Sequence, residues 1–366
     1  MDDTLKRAKS YSSTKHLLVI ANIFLAVSYF FFLLISGLSN YIASKTHLFL
    51  GCRYMGIIFY LAVIGIFLNI LTFPLDFLLS YKTEHRFGLS RQNFLSWFND
   101  YLKRIIIGSI FYLIGILLLY WFMDVSNRFW WLYTALAYFF ISLFVAKIFP
   151  IIIIPLFYKL TEIKDIPLKD RLLSLAEKAG IKILTVYNIA LGEKTNKANA
   201  AVCGLGSTKR ILLSDTLLQV YTEEEVEATL AHELAHHKFH HFWKLSFWNF
   251  IFTLLGFVIL NYLIQQIAGS GYISSISDLK IFPVLIIFFI IYNIGTTPLL
   301  NLISREYEAN ADKEAVRLTQ NPAVFVKLIT KLSLQNLSDP APGFLVKMFF
   351  YDHPPQEERV RLYRGG

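Results

Sequence analysis

Charge and cysteine are what this sequence has least of. Lys, Arg, Asp and Glu together make up 17% of the 366 residues, where soluble chains carry about a quarter. That scarcity excludes a disordered or collagen-like chain. It leaves an apolar majority, 55% of residues with 16% aromatic, that needs a non-aqueous surrounding. The two cysteines, Cys52 and Cys203, exclude a disulfide scaffold. The topology argued below puts them on opposite sides of a bilayer, so no disulfide is expected between them. The sequence also lacks internal repeats, low-complexity tracts and any basic run interleaved with aromatics. The net charge of +9 is therefore read as loop charge on a membrane protein, and no nucleic-acid partner is expected.

What the chain has in quantity is apolar run length. Six runs, 17–38, 54–79, 105–123, 129–149, 245–268 and 281–303, are near the ~20 residues that cross ~30 Å of hydrocarbon. The first follows basic residues but is too long for a signal peptide and has no small-x-small cleavage site, so it is expected to stay as an anchor. The run 151–156 is too short and too proline-interrupted to cross alone. It is read as an interfacial extension of the fourth helix; as a seventh span it would break the parity. Lys6, Arg7, Lys9 and Lys15 in the tail, and Lys82, Arg86, Arg91, Lys103 and Arg104 in the second connection, outnumber Lys45, Arg53, Arg128 and Lys280 in the first, third and fifth. That bias puts both termini and the polar block in the cytoplasm.

The expected fold class is an all-α polytopic membrane protein of about six spans with a small cytoplasmic α+β part. Residues 1–157 hold four spans, 158–243 the first polar piece, 244–303 two more spans and 304–366 the second polar piece. In the first polar piece, 168–179 has helical periodicity and ends at Gly180. Strand-like runs follow at 183–189, 198–205 and 210–214, the last two separated in hairpin fashion by Gly204, Gly206 and Ser207. Thr222 followed by Glu223, Glu224 and Glu225 predicts a capping-box helix start.

That helix carries His232-Glu233-Leu234-Ala235-His236. Two histidines at i and i+4 share one helix face and can reach one ion, with Glu233 beside them to polarise water. A catalytic zinc needs a third protein ligand. The arrangement that would place a glycine at 239 and a histidine at 242 is absent, since both positions are Phe. Glu308 and Asp312 form another i, i+4 pair just after the sixth run. Glu308 is the candidate third ligand, with Asp312 accepting the outer N–H of a ligand histidine; Glu306 is its rival. The short connection 269–280 makes the fifth and sixth spans antiparallel neighbours, so their cytoplasmic ends meet. His240 lies about 12 Å along the helix axis from His232 and is read as an interfacial polar residue. No role is assigned to His237 or His241.

On these residues the chain resembles the integral-membrane CAAX prenyl protease type 1 family, zinc metallopeptidases of the gluzincin class. The likeness runs through Phe73-Pro74-Leu75, Glu84-His85-Arg86-Phe87-Gly88-Leu89, Ile154-Pro155-Leu156-Phe157, Asn199-Ala200, Lys209-Arg210-Ile211 and Asp215-Thr216-Leu217-Leu218. It continues in the 232–236 motif, Ser304-Arg305 with Glu308 and Asp312, and His353-Pro354-Pro355 with Glu358-Arg359. The resemblance implies one zinc ion per chain and a peptide or protein substrate, with lipidation left open. It implies that the strand at Asn199, Ala200 and Ala201 pairs with extended substrate, and that His353 and Arg359 lie near the zinc and steady the oxyanion. It also implies a large chamber among the spans, compatible with Asn22, Asn69, Asn249, Asn261 and Asn293, although interhelical hydrogen bonding accounts for these equally well. The short connection 218–223 and the ending Arg364-Gly365-Gly366, without a retrieval signal, point to a prokaryotic relative in the cytoplasmic membrane. The related stress-induced bacterial zinc protease has two spans before the motif, against four here.

Other readings stand beside the enzyme. A zinc-stabilised membrane scaffold or chaperone would close the site with a fourth protein ligand, His353 or His240. A transporter with a gating metal lacks support from paired intramembrane acids or repeats. Within the protease class, general membrane quality control is the alternative to a CAAX-type activity.

Overall fold

The computed structural model describes residues 2–204, 206 and 209–363. Leu205 and Ser207 of the expected strand and turn, and the terminal Arg364-Gly365-Gly366, lie outside them. Among the described residues six helices are long and apolar enough to cross a membrane. Helix α1 (Asp2–Ile35) begins in the basic tail and extends well before the apolar run. It breaks at Gly37, whose φ of 69° is left-handed, and the chain turns into α2 (Leu38–Leu50). The sequence reading missed α2. Its 13 residues span roughly 20 Å, too little to cross alone. It instead packs on α3 (Arg53–Phe77), where Gly56 leaves room for Thr46 and Ser39 Oγ meets Tyr60 OH at 2.6 Å. A π-turn, Leu78–Lys82, leads into the single turn α4 (Thr83–Arg86).

Helix α5 (Phe94–Val125) is capped by Asn93, whose side chain accepts from the Ser96 N–H. Helix α6 (Trp130–Ile148) continues through a π-turn, Phe149–Ile153, into α7 (Ile154–Phe157). The proline-interrupted run is thus the end of the fourth spanning helix. The fifth and sixth spans lie in α11 (His241–Gly269) and α12 (Phe282–Thr319). Gly256 permits their close packing: a Cβ there would stand 2.8 Å from the Tyr292 ring, whose hydroxyl donates to the Phe252 carbonyl at 2.7 Å. Helix α12 does not end with its apolar run. Pro298 lies inside the helix without ending it, and the preceding Thr296 and Thr297 hydroxyls bond back to the Tyr292 and Asn293 carbonyls. The helix is 38 residues long in all and ends only where Gln320 turns left-handed.

The polar pieces build one sheet and its covering helices. Strands β1 (Leu160–Glu162), β2 (Thr185–Ile189), β3 (Ala200–Cys203) and β4 (Arg210–Ser214) lie in the order β1-β2-β4-β3. The β2–β4 pair is parallel and the β3–β4 pair antiparallel, so β3 is an edge strand. The sequence reading also missed β1; three residues carry no alternation to read. Helix α8 (Ile166–Lys178) buries Leu168, Leu172 and Leu175 on one face and ends before Gly180, at φ 77°. The short α9 (Asp215–Val220) leads to α10 (Glu223–Lys238), which opens with the complete Thr222–Glu225 capping box. After α12 come α13 (Pro322–Gln335), α14 (Phe344–Phe350) and α15 (Gln356–Arg361). Leu172, Ile211, Leu230, Ala315 and Phe325 form the core of this half.

The spans enclose a mostly apolar cavity of about 2230 Å³, reaching at one end to Val202, His236 and Glu308. Of the five intramembrane asparagines, Asn69 and Asn293 line it. Asn22 bonds Asp76, Asn261 accepts from Trp130 Nε1, and Asn249 bonds within its own helix. On the membrane face away from the sheet, Arg53 forks onto Asp124 at 2.9 Å and also reaches Ser277.

Candidate metal centre and substrate strand

Two helices meet where their small residues allow it. Ala231 and Ala235 of α10 and Ala311 and Ala315 of α12 are fully buried, so the backbones approach closely and the longer polar side chains between them converge. His232, His236 and Glu308 each offer a ligand atom, all within 4.8 Å of one another; among the described residues this is the candidate group. His232 Nε2 lies 3.1 Å from Glu308 Oε2, His236 Nε2 lies 3.3 Å from Glu308 Oε1, and the two imidazole nitrogens are 3.2 Å apart. Glu308 is 6% exposed, and its Oε2 and Oε1 face the imidazoles of His232 and His236. A buried carboxylate whose two oxygens each face an imidazole nitrogen fits a His₂-carboxylate metal site. Glu306, the rival, is exposed.

Around this group sits a shell of orienting contacts. Asp312 Oδ1 is 2.9 Å from His232 Nδ1, and Arg359 Nε donates to Asp312 Oδ2 at 2.8 Å. Arg359 thus forks onto Asp312. His353 Nε2 comes within 3.3 Å of Glu308 Oε1, while its Nδ1 donates to Asp352 at 2.8 Å. Arg305 holds the segment before His353 by donating to the Lys347 and Tyr351 carbonyls.

Two histidines left unassigned by the sequence reading also belong here. His241 Nδ1 is 3.0 Å from His236 Nδ1, and its ring stacks on Tyr307. His237 Nε2–H donates to the Val202 carbonyl at 2.8 Å, tying α10 to β3. Neither contact follows from helical spacing. His240 adopts a left-handed φ of 57° between α10 and α11, which folds His241 back onto His236; a non-glycine turn of that kind leaves no sequence signal.

The charges respond to this crowding. Burial works against a proton on His232, but Asp312 and Glu308 outweigh it and carry the imidazole up to about 9. Burial and the neighbouring His232 depress His236 to about 3. Burial pushes Glu233 above the ordinary carboxylate range, with His232 opposing. Among the described residues the Glu233 carboxylate has no hydrogen bond or ion pair. Of the strand residues, Asn199 N–H donates to Ser214 Oγ at 3.0 Å, while Ala200 and Ala201 sit partly exposed on β3.

Comparison with known proteins follows the same division. The model of peptidase family M48 matches residues 162–365, and that described as CAAX prenyl protease N-terminal, five membrane helices, matches residues 1–159. An uncharacterized metalloprotease, YhfN, of Bacillus subtilis is 30% identical over 97% of this chain and 84% of its own length. CAAX prenyl protease 1 of Saccharomyces cerevisiae is 28% identical over 82% of this chain and 70% of its length. The crystal structure of S. mikatae Ste24p shares the fold, with a TM-score of 0.85 at 22% identity, covering 100% of this chain and 90% of that one. The chain belongs to peptidase family M48 and is a multi-pass membrane metalloprotease.

Proposed function

We propose that this protein is a zinc endopeptidase of the CAAX prenyl protease type, with His232, His236 and Glu308 as the ligands of one ion per chain. The observation that carries the reading is the convergence of these three side chains from α10 and α12, with the two oxygens of the buried Glu308 facing the two imidazoles. A zinc ion bound there supplies a Lewis acid that acidifies water and polarises the scissile carbonyl. Glu233 takes the proton of the attacking water and delivers it to the leaving amine, a role suited to a carboxylate whose affinity for protons burial has raised. Asp312 holds His232 in one tautomer, and Arg359 acts through Asp312 as a positioning residue. His353, beside Glu308 and half-exposed, is placed to donate to a developing oxyanion.

The edge strand at Asn199, Ala200 and Ala201 takes the substrate, a peptide or protein, as an added strand. The excess of Lys and Arg in the connections on this side of the membrane favours the cytoplasm. The coverage shared with the Bacillus subtilis protein favours a bacterial cytoplasmic membrane.

The test is E233Q in purified full-length protein. Cleavage of a quenched fluorescent peptide should fall about 10²–10⁴-fold, with zinc content and melting temperature unchanged. Chelation should abolish wild-type cleavage and added zinc restore it. Wild-type turnover by E233Q, or cleavage indifferent to chelators, would overturn the assignment.

A further inference from the structure

The chain leading into β3 is clamped to the membrane domain by contacts that the proposed chemistry does not use. At one end of the segment 194–199, Lys194 Nζ meets Asp100 Oδ2 of α5 at 2.6 Å and the Phe157 carbonyl at 2.5 Å. Near the other, Lys197 Nζ meets Glu84 Oε2 of α4 at 2.9 Å. Glu84 Oε1 also accepts from Tyr11 OH at 2.6 Å and Lys15 Nζ at 2.8 Å. The Glu84 and Asp100 side chains are only 13% and 16% exposed, so these pairs are screened less than surface ones.

Between the two lysines the backbone is bonded as well. Arg91 N–H donates to the Lys194 carbonyl and Asn196 N–H to the Leu89 carbonyl, both at 2.9 Å, and Asn196 Nδ2 donates to the Gly88 carbonyl at 2.7 Å. Helix α13 and its end grip the opposite side. Gln335 Nε2 donates to the Asn196 carbonyl at 2.7 Å, and the Asn336 side chain accepts from Ala198 N–H at 3.2 Å. Strand β3 begins at Ala200, and its Val202 carbonyl is held by His237, next to His236 on α10.

We propose that residues 194–199 are a strap by which the membrane domain fixes the lengthwise position of β3, and so selects the peptide bond that is cut. Glu84 and Lys197 are its positioning residues. The inference rests on the reading of β3 as the substrate strand. An extended peptide on a strand edge repeats its pairing every two residues, about 6.8 Å, whereas a one-residue slip turns every side chain to the other face. A loosened strap therefore admits cleavage two residues from the normal bond. Removing the Glu84 charge leaves Lys15 and Lys197 facing each other in a shielded site without their counter-ion, which loosens it.

The experiment maps products by mass spectrometry for full-length protein in liposomes, with one unlipidated 12-residue peptide and its set of single N-methylated backbone analogues. Wild type should cut one dominant bond, and N-methylation should inhibit at alternate residues. E84Q and K197M should each divert on the order of a tenth to a half of the product to the bond two residues away, with zinc content unchanged. E84D should restore the single product. D100N, at the other end of the strap, serves if E84Q or K197M lowers the melting temperature. A single product from E84Q, K197M and D100N with only the rate reduced overturns the strap while leaving β3 as the substrate strand. Inhibition without alternation in wild type overturns the β3 reading itself.

Discussion

The spanning helices and the sheet-bearing half are specified by different kinds of sequence. Helices α3 and α6 are apolar around their whole circumference. Phe140 and Phe144 of α6 point outward, 64% and 60% exposed, as lipid-facing residues do. Helix α8 separates its faces, with Leu168, Leu172, Leu175 and Ala176 turned to the core. Where both faces are greasy, hydrophobicity places a helix at a depth but does not choose its rotation. That choice falls to a few contacts: Gly256 against Tyr292, Asn22 with Asp76, Asn261 with Trp130, and Arg53 with Asp124. In the other half the core chooses the orientation, and His232, Glu308 and Asp312 of the candidate site are polar exceptions buried against it.

Beyond the general-base substitution, three changes sharpen this contrast. The largest effect is expected at the junction of the halves. D312N leaves the Arg359 guanidinium buried without its counter-charge and weakens the hold on His232. Zinc affinity, read by competition with a chromophoric chelator, should drop about 10–100-fold. A wild-type affinity would remove Asp312 from the orienting shell.

G256V comes next. Its side chain meets a Tyr292 ring pinned by its own hydrogen bond, so overpacking should cost about 1–3 kcal/mol. The check is thermal unfolding in detergent; an unchanged melting temperature would show that α11 and α12 separate without penalty. The smallest effect belongs to the far membrane face. R53Q breaks a fork whose Arg is 39% and Asp 26% exposed, worth under about 1 kcal/mol. Peptide cleavage should be unaffected and melting lowered slightly; loss of zinc in R53Q would mean that the two ends of the bundle are coupled.

Much of the fold was readable because its signals are long or local. A spanning helix needs about 20 apolar residues, and the His232/His236 pair needs only one turn of helix. Helix α2, at 13 mixed residues, and β1, at three, fall below any such length. Arg359 illustrates the other gap. Family likeness drew attention to Arg359, but its fork onto Asp312, 47 positions earlier, follows from no local pattern. His241 went unnoticed because its approach to His236 depends on the left-handed turn at His240.

The sequence alone determined that the chain is embedded in a membrane, how many long apolar helices it has, and which local pair of imidazoles faces one way. These follow from composition and from periodicities that operate within a few residues. The tertiary structure decided the rest: that α12 continues unbroken to bring Glu308 to those imidazoles, that Glu308 rather than Glu306 faces inward, and that Glu84 and Lys197 lock the approach to β3. Each of these joins groups far apart in the chain. Such contacts depend on helix rotation and backbone approach, set by packing of the whole molecule rather than by any one segment.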